Sequence, residues 1–162
     1  MDAKLTLVRE SAFPDPAKPY GERVQRRLRE DIVVWLTTVG ADSTPQPNPV
    51  WFLWDGESIL TYNRADARRL VHVRTRPRVA VSGVPTKPAS WGGSFDGDGR
   101  GGDIIVLTGR AELTRGEAPP HEVPAYLAKY RARMTRVSGS PEAFSRRYPV
   151  PLRVWPLRVR GF

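Results

Sequence analysis

Cysteine is absent from the 162-residue chain, and its absence excludes several kinds of site. Without thiols there can be no disulfide framework, no thiolate metal site and no cysteine nucleophile. Histidine is almost as scarce, because His72 and His121 are far apart in sequence and match no spacing such as H-E-x-x-H. No Ser-His-Asp order is visible either. The sequence therefore predicts no metal site, and it nominates no catalytic side chain.

Long hydrophobic runs are also missing. No apolar run approaches the ~20 residues that a membrane-spanning helix needs, and the first residues lack the apolar core of a secretory signal. We therefore expect a cytoplasmic protein that does not enter a membrane. The length suits one domain with a substantial core, and no repeat or long linker divides it, so residues 1–162 are expected to form a single domain.

Acidic residues are few relative to basic ones, with 17 Asp and Glu against 26 Lys and Arg and a formal net charge of +9. Such a charge can indicate nucleic-acid binding. However, the basic residues are mostly arginine and are spread along the chain, and no zinc-finger spacing, RNP motif or basic zipper is present. Since guanidinium groups also bind phosphate or carboxylate through paired hydrogen bonds, we expect a small anionic ligand and no nucleic acid.

Hydrophobic periodicity divides the chain into short strands and a few helices. The expected strands are Ile32–Val39, Pro49–Asp55, Ile59–Asn63, Arg78–Ser82, Asp103–Leu113 and Val150–Val159. The expected helices are Pro19–Asp31, Arg64–Pro77, His121–Val137 and Ser140–Tyr148. Pro47 and Pro49 mark a sheet edge, because proline cannot donate to a ladder. Most strands are joined by hairpins, which predicts a mainly β, antiparallel barrel of about six strands with peripheral helices.

The glycine-rich segment Asp96–Leu107, DGDGRGGDIIVL, has three possible interpretations. A calcium loop of the EF-hand type needs a ligand oxygen at its fifth position and a bidentate Glu at its twelfth. Those positions hold Arg100 and Leu107, which cannot serve. A phosphate loop is disfavoured because neither glycine motif stands between a strand and a helix. The segment is therefore interpreted as a tight turn that leads into a strand.

Five stretches, in a definite order, carry a resemblance to a known family. They are LTTVGADSTPQPNPVWFLWDGESILTYNR, RPRVAV, FDGDGRGGDIIVLTGRAEL, EVPAYLAKYR and VPLRVWPLRVRGF, and they extend over Leu36–Phe162. On these motifs the sequence resembles the split β-barrel superfamily of pyridoxamine-5′-phosphate-oxidase-like flavin and deazaflavin proteins. Within that superfamily it is similar to an actinobacterial group of F420-dependent enzymes.

The resemblance implies a homodimer that holds a tricyclic, flavin-like ring in a groove between its subunits. It also implies that the backbone of Asn48–Trp54 and Ile59–Asn63 lies along the ring, and that basic side chains near the next helix hold the phosphate. On that basis the expected cofactor-binding residues are Asn48, Val50, Trp51, Tyr62, Asn63, Arg64, Arg68 and Arg69.

The arginines of this set have a simpler alternative role as a solvated helix face. Arg64 and Arg68 are four residues apart, so they share a face if the helix begins at Arg64. Where this chain has Arg69 the family commonly has lysine, so the charge is kept while its geometry can differ.

Other members of the set also have structural alternatives. Trp51 and Trp54 are three residues apart in one expected strand and face opposite sides, so at most one of them lines the ring site. Asn63 either donates to the phosphate or caps the following helix. His72 is expected to pack or to make a hydrogen bond within its helix, and it is not nominated as an acid or a base.

One segment departs from the family pattern. The family passes almost directly from RVAV to FDGDG, whereas this chain inserts about a dozen residues, Gly83–Ser94. Loops of this length are often functional lids. We expect the insertion either to narrow the substrate mouth, with Trp91 contacting the substrate, or to be a solvated surface loop.

The function that the resemblance implies is an F420-dependent oxidoreductase, which transfers a hydride between the deazaflavin and an unknown small organic substrate. Such chemistry needs positioning and exclusion of water, which agrees with a sequence that offers no catalytic dyad. Two alternatives remain open. One is an FMN-dependent oxidase or reductase of the same fold. The other is a non-catalytic protein that binds a flavin, haem or another tetrapyrrole, in which haem would depend on His72 or on a non-protein ligand.

Overall fold

A computed structural model describes residues 13–83 and 104–161, which form seven strands, four α-helices and a short 3₁₀-helix. The strands are β1 (Val33–Val39), β2 (Pro45–Trp51), β3 (Leu53–Trp54), β4 (Ile59–Asn63), β5 (Arg78–Gly83), β6 (Ile105–Leu113) and β7 (Val150–Gly161). The helices are α1 (Pro19–Glu30), α2 (Arg68–Thr75), α3 (Pro124–Ser138) and α4 (Pro141–Arg147), and the 3₁₀-helix is Pro120–Glu122. The strands form one antiparallel sheet in the order β2-β1-β5-β6-β7-β4-β3. This confirms the predicted class, a split barrel with peripheral helices.

The two longest helices form where apolar side chains recur on one face. α1 buries Val24 and Leu28, which are four residues apart. α3 buries Tyr126, Tyr130 and Met134 at the same spacing, each at most 1% exposed. Both helices begin at a proline, whose missing N–H is not needed in the first turn. No helix within the described residues is long and apolar enough to span a membrane.

Two apolar cores lie on opposite faces of the sheet. The first fills the barrel with inward side chains of β1, β5, β6 and β7 and with apolar residues of α1. The second lies between β4 and the α3–α4 pair. Successive side chains of a strand point to opposite faces, so β4 gives Ile59 to the first core and Leu60 and Tyr62 to the second. All five residues of β4 are buried for this reason.

The sheet closes at Phe52. β2 and β3 lie at opposite ends of the strand order, yet Phe52 is the single residue between them, so the two edges of the sheet approach each other there. The Tyr130 hydroxyl accepts the Phe52 N–H at 2.9 Å and lies 2.8 Å from the carbonyl oxygens of Ile32 and Phe52. Lys129 Nζ donates to the same Phe52 carbonyl at 3.1 Å. Side chains of α3 therefore hold the point where the barrel closes.

The expectation of one strand from Pro49 to Asp55 was wrong. The chain forms two strands there, and the first begins earlier, at Pro45. This division explains why the sheet has seven strands instead of about six. The helix expected at Arg64–Pro77 begins only at Arg68.

β2 is an edge strand in which proline alternates with other residues. The prolines at positions 45, 47 and 49 pair with Val39, Thr37 and Trp35 of β1. Because proline cannot donate, the N–H groups of the ladder must come from Gln46, Asn48 and Val50, whose partners alternate with those of the prolines. The free edge of β2 therefore lacks N–H donors at positions 45, 47 and 49.

Candidate functional site

A pocket of about 280 Å³ lies where the end of β2, the end of β4, the start of α2 and the α3–α4 pair meet. Its lining residues are Pro49, Val50, Trp51, Tyr62, Asn63, Arg64, Ala67, Arg69, Tyr126, Val137, Phe144 and Tyr148. Six of them belong to the predicted cofactor set, namely Val50, Trp51, Tyr62, Asn63, Arg64 and Arg69. The fold thus brings most of the predicted set to one place, and only Asn48 and Arg68 of that set lie elsewhere.

One side of the pocket is a wall of stacked aromatic rings. Trp51 stacks on Tyr130 with 5.0 Å between ring centroids and 4° between ring planes. It also stacks on Phe144 at 5.2 Å, and Phe144 stacks on Tyr148 at 4.5 Å. Trp54 is instead buried in the barrel core, so one tryptophan of the pair lines the pocket. Such a wall offers a rigid apolar surface to a planar ligand.

Another side of the pocket carries the guanidinium of Arg69. This side chain is half-buried, and its Nη1 donates a long hydrogen bond of 3.4 Å to Asn63 Oδ1. Within residues 13–83 and 104–161 no carboxylate lies at ion-pair distance from it. Burial lowers the pKa of Arg69, which Tyr148 partly offsets, but a guanidinium remains protonated at ordinary pH. A half-buried cation without a counter-charge is suited to binding an anion.

Asn63 holds Arg69 and does not cap the helix. Its Nδ2 donates to Thr61 Oγ1 at 3.3 Å and to the Val150 carbonyl at 3.2 Å, which uses both amide hydrogens. The N-cap of α2 is Ala67, with no side-chain hydrogen bond. Of the two roles weighed for Asn63, capping is therefore not observed, and donation to a phosphate would require one of these two bonds to break.

The other two predicted arginines have different surroundings. Arg64 precedes α2, is exposed and forms a two-point ion pair with Asp66, with Nε–Oδ1 at 3.0 Å and Nη2–Oδ2 at 3.1 Å. Arg68 is the first residue of α2, is exposed and does not line the pocket. The helix begins at Arg68, so the condition under which Arg64 and Arg68 would share a helix face is not met.

Tyr62 lines the pocket, but its hydroxyl is already used by the protein. It donates to the Ala118 carbonyl at 2.6 Å. Burial raises the pKa of Tyr62 to about 12, with a further increase from Glu117 and a decrease from Arg153. Arg153 is in turn paired with Glu117 through Nε and Nη2. Tyr62 therefore stays protonated and shapes the pocket instead of exchanging protons.

Three predicted features lie apart from the pocket or outside the described residues. Asn48 is on the edge strand β2, where its Nδ2 donates to the Gln46 carbonyl at 3.2 Å. Trp91 and the rest of the insertion after Gly83 fall outside the described residues, as do the first eight residues of Asp96–Leu107. The lid and turn interpretations of these segments stay predictions.

The histidines form hydrogen bonds away from the pocket. His72 Nδ1 lies 2.9 Å from Thr38 Oγ1 of β1, so its partner is on a neighbouring strand and not within its own helix. His121 Nδ1 lies 2.8 Å from Ser145 Oγ and connects the 3₁₀-helix to α4. In the part of the chain that the structure describes, no cluster of three His, Asp or Glu side chains is placed to hold a metal ion.

Sequence reasoning missed the lining residues that α3, α4 and their flanks supply, which are Tyr126, Val137, Phe144 and Tyr148. The four-residue spacing in α3 correctly predicts a buried helix face. Spacing does not show, however, which face of the sheet that helix covers. Tyr148 follows a short helix and carries no distinguishing pattern in the sequence.

The family model described as pyridoxamine 5′-phosphate oxidase matches residues 20–160. A search of curated proteins found no match.

Several solved structures share the fold. An F420 reductase is 24% identical with a TM-score of 0.57, covering 84% of this chain and 94% of that one. HutZ, the heme storage protein from Vibrio cholerae, is 12% identical with a TM-score of 0.58, covering 86% and 92%. General Stress Protein 26 from Bacillus anthracis is 17% identical with a TM-score of 0.56, covering 85% and 89%. At these identities the likeness shows the fold alone, whereas the family model spans most of the sequence, and the chain belongs to the pyridoxamine 5′-phosphate oxidase family of split barrels.

Proposed function

We propose that the chain is an F420-dependent oxidoreductase whose pocket holds the phosphate end of the deazaflavin, and which acts on an unknown small organic substrate. The observation that carries the proposal is the half-buried Arg69 guanidinium, which has no carboxylate partner within the described residues. The F420 reductase of the same fold supports this choice of cofactor. Membership of an oxidase family supports redox chemistry.

The lining residues suit one end of such a cofactor. Arg69 offers donors to a phosphate, and Arg64, which is paired with Asp66, lines the same pocket. Ala67, the N-cap of α2, also lines the pocket, so the positive end of the helix dipole faces the same space. A cavity of about 280 Å³ is at the small end of ligand pockets, so it accepts part of the cofactor and not the whole.

We infer that a second copy of the chain completes the site. Pro49 of β2 lines the pocket, and its antiparallel partner on β1 is Trp35. Trp35 is 41% exposed, which is unusual for so large an apolar side chain on a sheet face. A partner chain that covers Trp35 would also reach the rim of the pocket. This supports the homodimer that the resemblance predicts.

When bound, reduced F420 would supply a hydride. The side chains of the protein would then bind and orient the two reactants and exclude water. Tyr62 is consistent with this role, because burial keeps its phenol protonated and the Ala118 carbonyl accepts its hydrogen bond. The stacked rings of Trp51 and Phe144 make their side of the pocket apolar. No described side chain of the pocket is therefore assigned an acid or base role.

The test is a titration of the purified chain with F420, FMN and haemin, followed by fluorescence and absorption. We expect F420 to bind more tightly than FMN. Arg69→Gln should weaken F420 binding by about tenfold or more, because hydrogen bonds to charged groups contribute about 1.5–3 kcal/mol. Arg68→Gln is the matched control, since Arg68 is exposed and outside the pocket, and it should keep wild-type affinity.

Other results would redirect the proposal. Tighter binding of FMN would favour an FMN-dependent oxidase or reductase. Binding of haemin alone, with no reduction of quinones, enones or tetrapyrroles, would favour a non-catalytic binding protein. HutZ makes that result worth testing, although His72 is bonded to Thr38 and does not line the pocket. Equal F420 affinity in both arginine variants would overturn the assignment of the pocket to the phosphate.

A further inference from the structure

We propose that Tyr148 is a further ligand-binding residue, whose hydroxyl donates a hydrogen bond to the anionic group held by Arg69. Together the two residues select a phosphate ester over a carboxylate. The inference rests on the proposed function, because it concerns the same pocket. Tyr148 lines that pocket with Arg64, Arg69 and Asn63, although it comes from the other end of the chain.

Packing holds the Tyr148 ring in one place. Tyr148 is the C-cap of α4, and its backbone N–H donates to the Phe144 carbonyl at 2.9 Å. Its ring stacks on Phe144, with 4.5 Å between centroids and 25° between planes, and the Arg147 guanidinium lies 5.8 Å from the ring centroid. Phe144 is stacked on Trp51 in turn. A hydroxyl on a ring held in this way loses little entropy when it binds a ligand.

The hydroxyl of Tyr148 has no hydrogen-bond partner among residues 13–83 and 104–161, although its side chain is half-buried. Tyr62, another phenol of the lining, donates to a backbone carbonyl instead. Arg64 and Arg69 line the same pocket as Tyr148. The pKa of Arg64 is raised mainly by Asp66 and also by Tyr148, and Tyr148 opposes the decrease that burial causes in Arg69. The Tyr148 hydroxyl is therefore placed to donate to an anion that also contacts a guanidinium of the same pocket.

The donors that remain in the pocket suit a tetrahedral anion. Asn63 donates its amide hydrogens to Thr61 and Val150, and two nitrogens of Arg64 donate to Asp66, so these donors are already in use. A guanidinium alone can satisfy both oxygens of a carboxylate through paired hydrogen bonds. A phosphate ester is tetrahedral, so its oxygens do not all lie in the plane of one guanidinium. Tyr148 approaches from a different element than Arg69 and can donate to the phosphate ester.

The test uses Tyr148→Phe, which keeps the stacked ring and removes the hydroxyl. The probes are inorganic phosphate and acetate at equal ionic strength, measured by the shift of the unfolding midpoint, and FMN, F420 and riboflavin, measured by titration. We expect the variant to bind phosphate and the phosphorylated cofactor about tenfold more weakly or worse, with acetate and riboflavin unchanged. Tyr20→Phe is the control, because the Tyr20 hydroxyl is buried, has no hydrogen-bond partner within the described part of the chain, and lies outside the pocket.

The outcomes separate this inference from the proposed function. If Tyr148→Phe binds phosphate and cofactor like wild type, the inference is wrong whichever cofactor is preferred. If the variant loses phosphate binding while wild type binds neither F420 nor FMN, the inference stands and the proposed function fails. An equal loss for phosphate and acetate would contradict the selectivity for a phosphate ester. A wild type that binds neither phosphate nor a phosphorylated cofactor would overturn both.

Discussion

At the scale of single residues, three arginines of identical chemistry meet three different environments. Arg64 is paired with Asp66, Arg68 is in solvent, and Arg69 is half-buried beside Asn63. The sequence located the cluster through a family resemblance, but it could not separate the members. Which of two adjacent arginines points inward depends on the residue at which α2 begins, and helix boundaries are set by packing as much as by local preference.

Lys129 gives the fold a pH dependence in alkaline solution. Burial lowers the pKa of Lys129 to about 8, which the Asp31 carboxylate partly opposes. In the unfolded chain a lysine has a pKa of about 10.4. Between these values the unfolded chain binds more protons, so we expect the free energy of unfolding to rise with pH from about 8 to about 10. Above that range unfolded tyrosines ionise while Tyr62 keeps its proton to about 12, and the trend reverses.

Urea unfolding of wild type and Lys129→Met across that pH range provides the measurement. Methionine keeps an apolar stem over the Phe52 ring, where Lys129 Nζ lies 4.0 Å from the centroid, and Tyr130 still contacts the Phe52 carbonyl. The rise should be lost in this variant and retained in Lys18→Met, which alters an exposed lysine. A rise of the same size in all three proteins would show that Lys129 is not its cause.

At the scale of elements, the main error of the sequence analysis is the strand that divides at Phe52. The run PVWFLWD is continuously apolar, and a local pattern of this kind predicts one strand. The division is imposed by Tyr130, a residue 78 positions away, whose hydroxyl bonds both backbone groups of Phe52. Local periodicity contains no information about such a contact. The uninterrupted elements β1, β4 and β5 were placed within a residue or two, because turns or helices flank them.

The prolines of β2 lead to a prediction about its ladder. Pro47→Ala should lower the free energy of unfolding by only about 0.4–1 kcal/mol. Position 47 donates no hydrogen bond, so the substitution only removes the restriction that proline places on the unfolded chain. Asn48→Pro should cost about 1–3 kcal/mol or more, because it removes an N–H that pairs with Leu36 and leaves a buried carbonyl unsatisfied. Chemical denaturation of both variants tests this. Equal costs would mean that the hydrogen-bonded positions of β2 have been assigned the wrong way round.

At the scale of the whole molecule, the pocket exists because the ends of β2 and β4 meet three helices, α2, α3 and α4. The sequence predicts the barrel, because short strands joined by hairpins, with alternating apolar and polar residues, are typical of antiparallel barrels. It also predicts the part of the pocket formed by β2, β4 and the start of α2, where the resemblance points to Trp51, Tyr62 and Arg69. It misses the half supplied by Phe144 and Tyr148, because helix periodicity reports that a face is buried without reporting what it is buried against.

We propose that a second copy of the chain covers the exposed Trp35, and the size of the particle in solution tests that proposal. Trp35 is 41% exposed and paired with Pro49 at the pocket rim, so Trp35→Glu should convert a dimer to a monomer and weaken cofactor binding at least about tenfold. Val71→Glu is the control, since Val71 is 61% exposed but lies on α2 outside the pocket lining, and it should leave the dimer intact. Sedimentation equilibrium measures the mass, and titration measures the affinity. If wild type is a monomer and binds cofactor, or if Trp35→Glu binds cofactor as tightly as wild type does, the idea of a shared site is contradicted. The pocket of about 280 Å³ in one chain would then be sufficient for binding.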